Sequence, residues 1–260
     1  MRIKDITAVI EQFAPLGIQE EWDNSGLSVG DPDAEVTGVL VGFDCTPELI
    51  DEAIATGCNL VVTHHPLIFR GIMGIHPGRP VDDAIIKAIR GGIAVYSAHT
   101  TADKVAAGVS GAMARRLMLG DQRFLCADPS GNTGLGMTGY LPRPMTAPEA
   151  IDYVKNCFGL KAVRTSRPIE TPVTKVALCG GSGGSMIADA ISEGAQLYIS
   201  ADISYHNFFT PEGFMIMDIG HFESEVEITE ILFSLIREKF ANFAVRKSAG
   251  LGSANPVYYY

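Results

Sequence analysis

The sequence predicts an α/β protein of two related lobes with mainly parallel sheets and a metal site in the crevice between them. Three observations predict it. Strand-length apolar runs alternate with helix-length amphipathic runs; the series returns further along the chain; and ligand-type side chains sit where predicted strands end.

Val36–Phe43 reads as a strand and Pro47–Ala55 as a helix closed by Gly57. Asn59–Thr63 is a short apolar strand, Val81–Arg90 a helix, Ile93–Ala98 a strand and Val105–Leu119 a helix. Strands alternating with helices imply parallel pairing through right-handed crossovers. The second occurrence follows at an offset of 137: Val39–Val41, Gly57, Leu60–Val62 and His65 fall on Val176–Leu178, Gly194, Leu197–Ile199 and Asp202. A second register, offset by 122, places Ile93–Ala98 on Met215–Gly220, His99 on His221 and Asp103 on Glu225. It also carries helix Val105–Leu119 onto Glu227–Phe240. The difference predicts a short or irregular crossover between Asp202 and Gly213. Asp128–Pro148, rich in turn residues, marks the boundary between lobes 1–127 and 128–260, with a C-terminal segment that can pack back.

Composition narrows the function classes. A net charge of −10 and a pI near 5.0 repel a nucleic-acid backbone. Apolar runs such as Gly92–Ala98 are strand-sized, and the N-terminus lacks an apolar signal core, so a soluble cytoplasmic protein without membrane partners is expected. Five cysteines with no C-x-x-C pair point to reduced thiols and away from a thiolate zinc site.

Of six histidines, five (His64, His65, His99, His206 and His221) follow predicted strands, whose carboxyl ends are where open α/β sheets gather ligands. In Thr63–Pro66 the proline holds His65 extended, so the adjacent imidazoles point opposite ways and suit one ion each. His221 and Glu225 stand four apart at a helix start and share a face; His99 and Asp103 repeat that spacing. Each pair alone could equally be a helix-start carboxylate beside a satisfied histidine. Imidazole with carboxylate and no thiolate suits Zn²⁺, Mn²⁺ or Fe²⁺, and five ligands leave positions open for water. Asp202 and His206 are candidates to orient ligands or move protons. Cys179–Ser185 is a glycine-rich turn that could take an anion or simply connect a strand to a helix. Trp22–Gly26 carries the only tryptophan in a polar turn that could line a site, and His76 falls in an exposed loop.

Six ordered motifs carry a resemblance. Trp-Asp-Asn-Ser-Gly-Leu (22–27), Thr-His-His-Pro (63–66), Ser-Ala-His-Thr-x-x-Asp (97–103), Cys-Gly-Gly-Ser-Gly (179–183), Ala-Asp-Ile-Ser-Tyr-His (201–206) and Gly-His-x-x-x-Glu (220–225) are similar to the YbgI-like dinuclear metal-centre family. Its members are labelled GTP cyclohydrolase 1 type 2 homologues, and the likeness runs from Ile3 to Val257. The resemblance implies two divalent ions per chain at His64, His65, Asp103, His221 and Glu225, the two carboxylates bridging, and a homohexameric ring. Some relatives carry a domain inserted between the lobes, for which the connector here leaves no room. The expected function is a metal-dependent hydrolase of a nucleotide-like or small cyclic substrate, with His99 or His206 handling protons. Metal storage, delivery or regulation without catalysis is the alternative, and an adaptor for a protein partner a third reading.

Overall fold

The computed structural model describes residues 1–259. Helix α1 (Ile3–Phe13) buries Ile3, Ile6, Thr7 and Ile10, the one-face spacing of an amphipathic helix. After β1 (Gly26–Val29), β2 (Val39–Val41) is narrower than the predicted Val36–Phe43, because the Val36 amide bonds Met1 and the Phe43 carbonyl turns toward His64 and His65. Helix α2 (Pro47–Ala55) has its predicted bounds. Thr46 caps it with its side-chain oxygen, Pro47 occupies the first turn, and Gly57 follows at φ +71°. Strand β3 (Leu60–Thr63) is wholly buried, α3 (Pro80–Gly91) closes on left-handed Gly92, and β4 (Ala94–Ser97) follows. The helix expected over Val105–Leu119 is instead two, α4 (Thr100–Asp103) and α5 (Val109–Arg116), parted at Gly108, whose ψ of −149° is not helical.

Strands β5 (Gly120–Ala127) and β6 (Gly134–Met145) form a hairpin, which corrects the connector reading of Asp128–Pro148. Turn chemistry is confined to its tip at Gly131, φ +72°. Pro142 and Pro144 sit where the register shifts between Tyr140 and Met145, so no ladder amide is missed. The chain continues through α6 (Ala147–Phe158), β7 (Arg164–Thr165), β8 (Val173–Ser182), α7 (Ile187–Ser192), β9 (Leu197–Ala201), β10 (Met215–Asp218), α8 (His221–Glu225), α9 (Ile228–Lys239) and β11 (Val245–Lys247). No described helix is long and apolar enough to cross a membrane.

Packing divides the chain differently from 1–127 and 128–260. One compact unit holds Met1–Ala102 and Ile228–Val257; the other holds Asp103–Glu227 with Tyr258 and Tyr259. The boundary moves because α5 places Met113, Ala114 and Leu117 in the second unit's core, while β11 pairs with β2 in the first. Unit 1 carries a sheet ordered β1-β4-β3-β2-β11, parallel except at β1. Unit 2 carries β5-β6-β8-β9-β10-β7, parallel across β8-β9-β10 and antiparallel outside it.

The internal repeat is visible in the hydrogen bonding. Val39 pairs with Leu60, and 137 positions on Val176 pairs with Leu197. The helix-closing bonds repeat too: Gly57 N–H to Ile54 and Cys58 N–H to Ala53 return as Gly194 to Ile191 and Ala195 to Ala190. Antiparallel edge strands β1 and β7 flank β4 and β10. One register needs correction. Leu60 pairs with Ala94 and Leu197 with Met215, so β4 maps onto β10 at an offset of 121 and not 122. The offset of 122 resumes at His221, after one additional residue, Gly220, at φ +92°. Between Asp202 and Gly213 the crossover shrinks to a 3-10 turn, Tyr205–Phe208, as predicted.

Candidate metal centre

In unit 1 the amides of His64 and His65 both donate to the Phe43 carbonyl, at 3.1 and 3.3 Å. The chain therefore turns after β3, and the two imidazoles lie side by side, ring centroids 4.9 Å apart, not on opposite sides. The rings do not diverge as an extended chain would place them, because a tertiary acceptor captures both amides. His64 is fully buried, and its Nδ1 donates to the Ala98 carbonyl at 2.9 Å. A carbonyl only accepts, so in the neutral ring the lone pair sits on Nε2. His65 Nδ1 lies 2.7 Å from Asp44 Oδ1, and His99 Nδ1 2.7 Å from Asp23 Oδ1. Ligand atoms of His64, His65 and His99 lie within 4.8 Å of one another and could hold an ion.

Asp23 escaped the sequence reading, which saw only a polar turn around Trp22. Its fully buried carboxylate accepts from His99 Nδ1, from the Thr100 amide (3.1 Å) and hydroxyl (2.5 Å), and from the Ser25 hydroxyl (2.8 Å). Burial pushes its pKa up, but those hydrogen bonds and the His99 charge outweigh burial and hold the carboxyl well below the usual range. No periodicity marks such a residue; its partner lies 76 positions away.

In unit 2, α8 opens at His221 directly after Gly220, so His221 and Glu225 share a face, Nε2 to Oε2 3.0 Å. His221 Nδ1 lies 2.8 Å from Asp202 Oδ2. Asp202 occupies the left-handed region at φ +53°, an uncommon conformation outside glycine. Carboxylate oxygens of Asp103 and buried Glu225 lie within 4.8 Å of each other. Burial first, then the charges of Asp103 and Glu225, push the Cys179 thiol well above its ordinary pKa, so it stays protonated there. A Cβ on Gly181 would collide with Glu225 Oε1, and its φ of +62° also favours glycine.

The glycine-rich turn is a packing device. The Gly180 and Gly181 amides donate to the Ser110 and Ser224 hydroxyls, while Ser200 and Tyr198 donate to the Gly181 and Gly183 carbonyls. His206 stands on the Tyr205–Phe208 turn beside Tyr205 and Phe209, and belongs to none of the ion-holding groups among the described residues. His76 is exposed.

The donor set fits divalent ions. Three imidazoles of unit 1 and one of unit 2 have Nδ1 anchored on an oxygen acceptor, the arrangement that fixes a ligating tautomer, and within unit 2 buried Glu225 stands beside His221. Zn²⁺, Mn²⁺ and Fe²⁺ all accept such donors.

The chain is similar to known proteins. The family described as Duf34/NIF3 (NGG1p interacting factor 3) matches residues 1–250. A Clostridium perfringens protein named GTP cyclohydrolase 1 type 2 homolog is 35% identical over 257 residues, covering 96% of this chain and 97% of its own. The Staphylococcus aureus hypothetical protein SA1388 superposes with a TM-score of 0.90 at 25% identity, covering 100% of this chain and 99% of that one. Protein ybgI, at 21% identity and a TM-score of 0.78 over 95% and 97% of the two chains, shares the fold.

Proposed function

This chain belongs to the Duf34/NIF3 family, and we propose that it holds two divalent metal ions at His64, His65, Asp103, His221 and Glu225 and hydrolyses a small nucleotide-like or cyclic substrate. It does so in the cytoplasm as a homohexamer. The observation that carries the reading is the anchoring of the histidines. Ala98, Asp44 and Asp202 each take an Nδ1, so His64, His65 and His221 are oriented before any ion arrives. The curated Clostridium relative's name, GTP cyclohydrolase 1 type 2 homolog, supports a hydrolytic reaction class.

Bound ions of this type supply Lewis-acid activation to hydrolysis. The remaining steps fall to the chain's own residues. Asp103 and Glu225 bring the anionic charge that two cations need close together. His99, its Nδ1 held by Asp23, takes up or returns a proton at Nε2. Anaerobic purification followed by elemental analysis tests the site, with two equivalents per chain expected. One equivalent or none overturns the dinuclear reading. A screen of nucleotides and cyclic amides on the same preparation tests the reaction, and two bound ions without turnover of any of them overturns the hydrolase.

A further inference from the structure

Trp22 is 59% exposed and Phe69 43% exposed, although hydrogen bonds hold the residues next to each of them. The Asp23 carboxylate is pinned by five hydrogen bonds, the Ser25 amide donates to Gln19 Oε1 at 3.0 Å, and Asn24 Nδ2 donates to the Ile68 carbonyl at 2.5 Å. Two large rings thus face solvent without the freedom that ordinarily accompanies exposure. Trp22, Phe69 and His99 stand pairwise 6.0 Å apart, centroid to centroid, at 61°, 75° and 79°. They form a corner of three edge-on rings, of which Trp22 and Phe69 are exposed. On its other side His99 stands 5.3 Å from His64 and 5.5 Å from His65. Beyond Phe69 an open cleft of about 630 Å³ continues past Ile72 and Met73.

We propose that Trp22 and Phe69 are a stacking subsite for a planar heteroaromatic ring, whose polar edge meets His99 and whose reacting bond is thereby set toward His64 and His65. The inference rests on the hydrolase reading and names its substrate class. The aromatic faces give a flat ring its area, and a fixed loop gives it at little entropic cost. An aliphatic substrate gains nothing from faces set this way. The imidazole at the corner supplies the one polar contact that selects a nitrogen-bearing ring over a hydrocarbon.

Trp22 is the sole tryptophan, so its emission reports the subsite directly. The full-length protein, zinc-loaded, is titrated with guanosine 5′-monophosphate and, separately, with ribose 5-phosphate. Saturable quenching by the first and none by the second is expected. Phe69→Leu, a tolerated change at a half-exposed position, raises the Kd between about fivefold and a hundredfold. Trp22→Leu, followed by calorimetry, does the same. No quenching, equal quenching by ribose 5-phosphate, or an unchanged Kd in both variants overturns the subsite. So does an emission shift that follows protein concentration alone, which identifies a second copy of the chain as the occupant. Zinc content measured on the same samples separates the two readings. Two equivalents without quenching sinks the subsite alone, and quenching without bound metal sinks the metal site alone.

Discussion

At the end of β3 an imidazole, His65, is held by a carboxylate, Asp44; 137 positions on, both residues differ. Asp44 becomes Gly181, which leaves room for Glu225, and His65 becomes Asp202, which takes the Nδ1 of His221. The histidine of the next strand end is retained, as His99 and His221, yet its carboxylate comes from Asp23 in unit 1 and Asp202 in unit 2. The two units therefore share backbone hydrogen bonding and differ in which position carries the acid. A strand–helix–strand frame closed by a left-handed glycine fixes where side chains emerge. The chemistry is then redistributed among those points, giving a histidine-rich unit 1 and a carboxylate-rich unit 2.

The largest break in that comparison comes from unit 2. Glu225→Ala or Asp103→Ala is expected to lower metal content from two equivalents to below one, while His76→Ala leaves it unchanged, as read by elemental analysis. Clean loss of one ion from Glu225→Ala shows that this carboxylate does not bridge. Gly181→Ala is next: the added methyl meets Glu225 and the backbone is left-handed, so denaturant unfolding should show a loss of about 2–3 kcal/mol. A loss below about 1 kcal/mol places Glu225 elsewhere.

The orienting acids sharpen the contrast. Asp23→Asn, at a buried acceptor of five hydrogen bonds, should cost about 2 kcal/mol near neutral pH. Asp202→Asn, at a half-exposed pair, should cost under about 1 kcal/mol. The folded Asp23 carboxyl titrates below its unfolded value, so its stabilisation is complete above about pH 4 and is lost as pH falls toward the folded pKa. The Asn variant should lack that acid-side loss; equal acid sensitivity of the two proteins contradicts the assignment. The smallest effect tests the shared frame. Gly57→Ala and Gly194→Ala, at φ +71° and +70° with open space around each, should each cost about 1 kcal/mol. Costs that differ by more than about 1 kcal/mol would show that the two turns are not equivalent.

Local signals made parts of this molecule legible. Helix α2 was bounded by Pro47 and Gly57, each of which acts within a residue or two of the helix end it marks. The five proposed ligands and the His-x-x-x-acid spacing were visible for the same reason. What depended on distant partners was not. The side-by-side rings of His64 and His65 follow from the Phe43 carbonyl. Asp44 and Asp23 reach histidines 21 and 76 positions on. Pro142 and Pro144 suggested a linker because a proline-bearing strand is stable only beside a bulge, and a bulge is a property of the pairing. The one-residue slip at Gly220 was hidden since apolar strands align equally well either way.

The order in which the chain leaves the ribosome gives the β2–β11 pairing a further meaning. Residues 103–227, the whole of unit 2 apart from Tyr258 and Tyr259, emerge after β2 and before the strand that completes its sheet. At translation rates of 5–20 residues per second, those 125 residues delay completion by roughly 6–25 s. Throughout that interval the nascent chain carries β2, an apolar strand of Val39, Leu40 and Val41, with one edge open. Slow or stalled synthesis within unit 2 therefore prolongs exposure in unit 1.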